Sequence, residues 1–114
     1  MVGDLPAGDD LVHVLSTLSN PHRMRIVAAL VGERSYVSQL ARTLGISRPL
    51  LQVHLRKLES AGLVSAHLEL SPDGKAMKFY EVTPFAFHLT PQSIADAART
   101  LSAPERAAEQ RGPE

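Results

Sequence analysis

Apolar residues recur at helical spacing through the first half of the chain, switch to alternation, and return to helical spacing near the end. Leu11, Val14, Leu15 and Leu18 fall at i, i+3, i+4 and i+7, which predicts a first helix capped by Asp9 or Asp10. Ser19-Asn20-Pro21 is a stop and a restart. Asn20 is a good N-cap, and Pro21 suits a first helical position, where its missing N–H has no intrahelical partner to lose. The second helix is expected to run to about residue 31, with Ile26, Val27 and Leu30 inward and Gly32 ending it. A short third helix is expected over residues 37–44, with Gly45 in the left-handed conformation after it. Ser47 then caps a fourth, Pro49 lies in its tolerant first turn, Leu51, Leu55 and Leu58 form its inner stripe, and Gly62 closes it.

The period then changes to two. Val64, Ala66, Leu68 and Leu70 face one way and Ser65, His67 and Glu69 the other, the pattern of a strand. Ser71-Pro72-Asp73-Gly74 has turn chemistry, and a second strand over about residues 76–83 completes a hairpin. Thr90-Pro91 opens a last helix carrying Ile94, Ala97, Ala98 and Leu101 at helical spacing. The domain is expected to span residues 9–102, between a flexible lead-in (1–8) and a disordered tail (103–114) rich in Ala, Glu, Arg and Pro. No internal repeat is visible. The order of elements predicts a mainly α, α+β fold: a winged helix-turn-helix with four helices, a two-stranded wing and a terminal helix.

At 114 residues the chain is one domain with one modest core. No apolar run approaches the ~20 residues of a membrane span. Residues 1–10 are acidic, with neither a basic start nor an apolar stretch, so no signal peptide and a cytoplasmic location are expected. The chain has no cysteine, which removes disulfides, thiol redox sensing, thiolate metal sites and cysteine nucleophiles. Its net charge is +0, yet Arg34, Arg42, Arg48, Arg56 and Lys57 fall in a stretch, residues 34–58, that holds no carboxylate. The chain is neutral by sum and basic by region.

That region covers the elements that would meet DNA. A major groove admits one α-helix, presented with its outer face free. With Leu51, Leu55 and Leu58 inward on the fourth helix, Pro49, Gln52, Val53, Arg56 and Lys57 point outward. Arg48 at the helix tip suits bidentate contact with guanine and Gln52 with adenine, while Leu50 or Val53 suits a thymine methyl. Ser47 and the free N–H groups of the helix start suit a phosphate. Arg42 on the third helix and His54 on the fourth complete the face, and Lys75 and Lys78 near the hairpin tip suit flanking backbone or minor groove. Double-stranded operator DNA is the expected partner.

Leu18-Ser19-Asn20-Pro21-His22-Arg23-Met24-Arg25-Ile26 resembles the "L-x-x-P-x-R-x-x-I" helix opening of the ArsR/SmtB family of bacterial winged-helix regulators. Gln39-Leu40-Ala41-Arg42-Thr43-Leu44-Gly45-Ile46-Ser47-Arg48-Pro49 resembles that family's turn. Leu51-Gln52-Val53-His54-Leu55-Arg56-Lys57-Leu58 followed by Ala61-Gly62-Leu63-Val64 is similar to its recognition helix and exit. The resemblance covers about residues 11–82. It implies a homodimer joined through the first and last helices, here Leu11, Val14, Leu15 and Leu18 with Ile94, Ala97, Ala98 and Leu101, over a palindromic operator. Repression is the commoner mode in that family.

The family's sensors do not carry over. Tyr36-Val37-Ser38 stands where thiol-using members have Cys-Val-Cys, and the last helix has Asp96 but no histidine. Of the five histidines, His22, His54 and His67 read as packing or surface groups. His13 and His88, with Asp96, are the candidate ligands for an interfacial nickel or zinc ion. Two other readings stand beside the regulator: a winged-helix protein-interaction module, and a DNA-binding subunit whose signal is sensed by a regulatory protein partner. No nucleophile elbow, phosphate loop or metal-hydrolase motif is present, so no enzymatic activity is expected.

Overall fold

Side-chain caps read from the sequence hold the starts of three helices. Asn20 Oδ1 accepts the Arg23 N–H at 3.2 Å to open α2 (Pro21–Leu30). Ser47 Oγ accepts the Leu50 N–H at 3.2 Å to open α4 (Arg48–Ser60). Thr90 and Ser93 form a reciprocal capping box, each side chain accepting from the other's backbone N–H, to open α5 (Pro91–Ala98). The computed structural model describes residues 5–103; residues 1–4 of the expected lead-in and 104–114 of the expected tail lie outside them.

The first helix departs from expectation. α1 (Gly8–Leu18) begins after Ala7, which makes no side-chain cap. Neither Asp9 nor Asp10 is the N-cap; both lie in the first turn, where a negative charge favours the positive end of the helix dipole. Asp9 is also tied to the far end of the chain, accepting from the Ser102 N–H at 3.1 Å and from its hydroxyl, and these bonds hold its carboxyl below the usual value. Gly8, expected in the lead-in, is a buried helical residue.

α3 (Val37–Leu44) ends on Gly45 at φ 68°, and the Gly45 N–H bonds the Ala41 carbonyl at 2.8 Å. That left-handed residue turns the chain directly into α4, which sets the two helices of the helix-turn-helix against each other. Leu51, Leu55 and Leu58 on α4 have no exposed surface and pack with Ile26, Leu30, Leu40 and Leu63 in one core.

The sheet has three strands where two were expected. β2 (Val64–Leu70) and β3 (Ala76–Val82) form the hairpin, and β1 (Ser35–Tyr36) adds to the other edge of β3, giving the order β1-β3-β2, all antiparallel. Two residues are too few to show an alternating pattern. The expected apolar face of the hairpin is buried only at its base, where Val64 and Tyr80 meet the core. Leu68 and Leu70 on the same face are 72% and 75% exposed, because the strands run out past the helices.

α1 and α5 meet at a close approach. The Gly8 N–H donates to Thr100 Oγ1 at 2.7 Å, and a Cβ on Gly8 would fall 2.6 Å from the Ala97 carbonyl oxygen and 2.9 Å from Leu101. Gly8→Ala should therefore lower stability: overpacking costs about 1–3 kcal/mol, more than the roughly 0.5–1 kcal/mol that alanine gains in a helix. A urea midpoint that stays unchanged or rises in the variant would show that the helices do not approach this closely.

Candidate nucleic-acid interface

With its leucine stripe locked inward, α4 turns a continuous outer face to solvent. Arg48, Pro49, Gln52, Arg56 and Lys57 are exposed on it, and Leu50 and Val53 are 39% and 40% exposed. Arg42 on α3 is exposed, as are Ser47 at the start of α4 and Lys75 and Lys78 on the hairpin. Lys78 Nζ lies 5.6 Å from the centre of the Tyr80 ring, a cation–π distance.

Two residues of the basic set are placed otherwise. His54, expected to flank the core stripe as a packing group or a phosphate contact, is only 7% exposed. Its Nδ1 accepts from Arg23 Nε at 3.1 Å, and its ring lies 5.2 Å from that of His22. It continues the inner stripe as i+3 from Leu51, a position where a polar ring needs a buried partner. Arg34 is held by Glu69 through both terminal nitrogens and lies over the Phe79 ring at 4.5 Å. Its charge is paired in space by a carboxylate 35 residues later in the chain.

The Arg23 guanidinium that serves His54 also donates from Nη1 to the Thr17 carbonyl at 3.2 Å. One side chain of α2 thus bridges α1 and α4. The arrangement requires neutral His54, and burial first, then the charge of Arg23, pushes its pKa below the ordinary 6.5.

The expected dimer residues divide. Leu11 and Val14 are 4% and 6% exposed, part of the protomer's own interior, and half-buried Leu18 packs on the same core. Leu11 also lines an apolar furrow between α1 and α5 with Leu15, Ile94, Ala97, Ala98 and Leu101, and Ile94 and Leu101 are 41% and 45% exposed. The candidate metal ligands are not brought together within the protomer. His13 lies beside Ser60, with Nε2 3.4 Å from Oγ, whereas His88 and Asp96 line a separate groove along α5. Among the described residues of one protomer no three His, Cys, Asp or Glu side chains cluster as a metal site. No described helix is long and apolar enough to cross a membrane.

Residues 18–65 match the helix-turn-helix domain family. The HTH-type transcriptional regulator MJ0229 of Methanocaldococcus jannaschii is 36% identical over 85 residues, covering 75% of this chain and 88% of that protein. The chain belongs to the helix-turn-helix transcriptional regulators. Nodulation protein NolR of Rhizobium meliloti is 43% identical over 51 residues, 45% of this chain and 42% of NolR. The fold is shared with NolR from Sinorhizobium fredii (TM-score 0.56, 25% identity, 80% of each chain). It is also shared with the homodimeric winged helix-turn-helix DNA-binding domain Mb0332 from Mycobacterium bovis (TM-score 0.58, 24% identity, 80% of this chain and 70% of that one). Within the helix-turn-helix regulators this chain is a DNA-binding regulator with the winged-helix fold.

The His54 site makes stability depend on pH with a defined sign. A histidine whose folded pKa is depressed binds its proton more readily in the unfolded chain, so stability is complete above about 6.5 and is lost as pH falls toward the folded value. Urea midpoints at pH 7.5 and 5.5 should fall further for the native chain than for His54→Gln, which has no such proton to take up. Equal falls would remove His54 as the source.

Proposed function

We propose that this regulator binds a palindromic operator as a homodimer and represses transcription by occupying it. The observation that carries the reading is the outer face of α4, where Arg48, Gln52 and Arg56 are exposed beside apolar Leu50 and Val53 on a helix whose roll is locked by buried leucines. Arginine and glutamine are the side chains that read guanine and adenine edges bidentately, and the small apolar groups suit thymine methyls. Ser47 and the first N–H groups of α4 position a phosphate, with Arg42 on the neighbouring helix and Lys75 and Lys78 on the wing for flanking backbone. The role is binding, with no step of chemistry.

The second protomer is supported by the furrow between α1 and α5. Ile94 and Ala98 on α5 and Leu101 just past its end remain open to solvent after the chain has folded, and α5 has no buried residue. A two-fold axis there would space two α4 helices one turn of DNA apart, about 34–36 Å.

Two measurements test this reading. In titrations of the chain's own promoter DNA at several salt concentrations, Arg48→Ala should cost about 1–3 kcal/mol and relax sequence preference, whereas Arg56→Ala should mainly reduce the salt slope. Binding that never exceeds the non-specific level in the native chain would instead favour a protein-interaction role. Ile94→Asp should convert the dimer to a folded monomer in light scattering and weaken operator binding; a variant that stays dimeric would move the interface elsewhere.

A further inference from the structure

An open cleft of about 460 Å³ lies between α1 and the second half of α4, away from the tip at Arg48. Arg23, Arg56 and Lys57 line it with His13, Ser16 and Ser60, and no carboxylate is among its lining residues. Three fixed cations, an imidazole and two hydroxyls converge on one concavity, which is the donor inventory of a phosphate seat. Arg23 is the organised member. Nε is committed to His54 and Nη1 to the Thr17 carbonyl, so the plane of the guanidinium is fixed while Nη2 makes no hydrogen bond among the described residues. The weak 3.4 Å contact between His13 Nε2 and Ser60 Oγ spans the cleft from α1 to α4 and is easily exchanged for a stronger acceptor. Ser16 is exposed, its hydroxyl donating only to the His13 carbonyl of its own helix turn.

We propose that this cleft seats one phosphate group, supplied by the DNA backbone beside the major groove that α4 enters. The seat would anchor the C-terminal half of the recognition helix and give α1 a direct part in the complex. It rests on the operator-binding reading for the source of the phosphate, though not for the seat itself. A free phosphorylated molecule offers the same chemistry and is the alternative source.

Ser16→Asp places a carboxylate at the cleft and His13→Ala removes the imidazole, and both changes lie on α1 and leave every residue of α4 as it is. Circular dichroism melts of both full-length variants establish that they are folded. Operator titrations against salt, and thermal shifts with inorganic phosphate, then separate the outcomes. For a backbone phosphate, Ser16→Asp lowers affinity for all sequences alike. One fewer released counterion reduces the salt slope by about 0.9, or roughly eightfold in affinity at 0.1 M salt; His13→Ala gives a smaller loss in the same direction. If inorganic phosphate raises the melting temperature of the native chain but not of Ser16→Asp, while DNA affinity is unchanged, the seat stands and its source is a free phosphate. Unchanged affinity, salt slope and phosphate response in both variants overturn the proposal. Should the native chain bind no DNA at all, the operator reading fails by itself and the phosphate arm still decides the seat.

Discussion

The complete burial of Leu51, Leu55 and Leu58 is the constraint on which the rest of this molecule depends. Each leucine withdrawn from water contributes about 1.5–3 kcal/mol, and the three lie on one side of α4. Rolling the helix by one residue, about 100°, would expose them and drive Gln52 and Arg56 into a core of Ile26, Leu30 and Leu40. No polar contact has to aim the outer face of α4, because apolar burial on the opposite side already does so. The same stripe creates a second requirement, since His54 falls on its edge and must find a partner away from water. Arg23 meets it, and by also holding the Thr17 carbonyl it joins α1, α2 and α4 through one guanidinium.

The hairpin obeys a different balance. Its base shares the core through Val64 and Tyr80, but its outer half is held only by strand pairing and by surface contacts. The Arg34–Glu69 pair links the segment before α3 to β2, yet both side chains are more than 40% exposed, where solvent screening leaves an ion pair little stabilising effect. The outer half of the wing is therefore restrained less by packing than α4, whose leucines are fully buried.

Much of this was legible in the sequence because local signals and burial agree. Asn20, Ser47 and Thr90 announce helix starts, Gly45 and Gly62 announce ends, and the 3.6-residue leucine period of α4 gives the orientation of its outer face. What was not legible depends on contacts between residues distant in the chain. Gly8 reads as a flexible lead-in until α5 is seen lying against it. Leu11 and Val14 have the same spacing as Leu15, and only the fold decides which of them the protomer keeps for itself. His54 sits between outward Val53 and inward Leu55 on the edge of the stripe, and the partner that satisfies its buried ring, Arg23, lies 31 residues earlier. Arg34 looked unpaired because Glu69 is on another element.

A net charge of +0 is compatible with a DNA-binding face because distance and screening act before summation. Arg48 and the first acid of α4, Glu59, are separated by about 16 Å along the axis at 1.5 Å per residue. The Debye length at physiological salt is about 8 Å, so across water the tip of α4 sees little of that carboxylate. It does see its own helix N-terminus, which adds partial positive charge from N–H groups that have no intrahelical partner. The acids that bring the total to zero are spread over the rest of the chain, among them Asp9 and Asp10 on α1 and Glu69 and Glu81 on the wing. A chain neutral as a whole lacks the broad positive field that drives indiscriminate attachment to DNA. Discrimination then falls to the few side chains whose geometry matches base edges, and those are the ones the buried leucines hold in place.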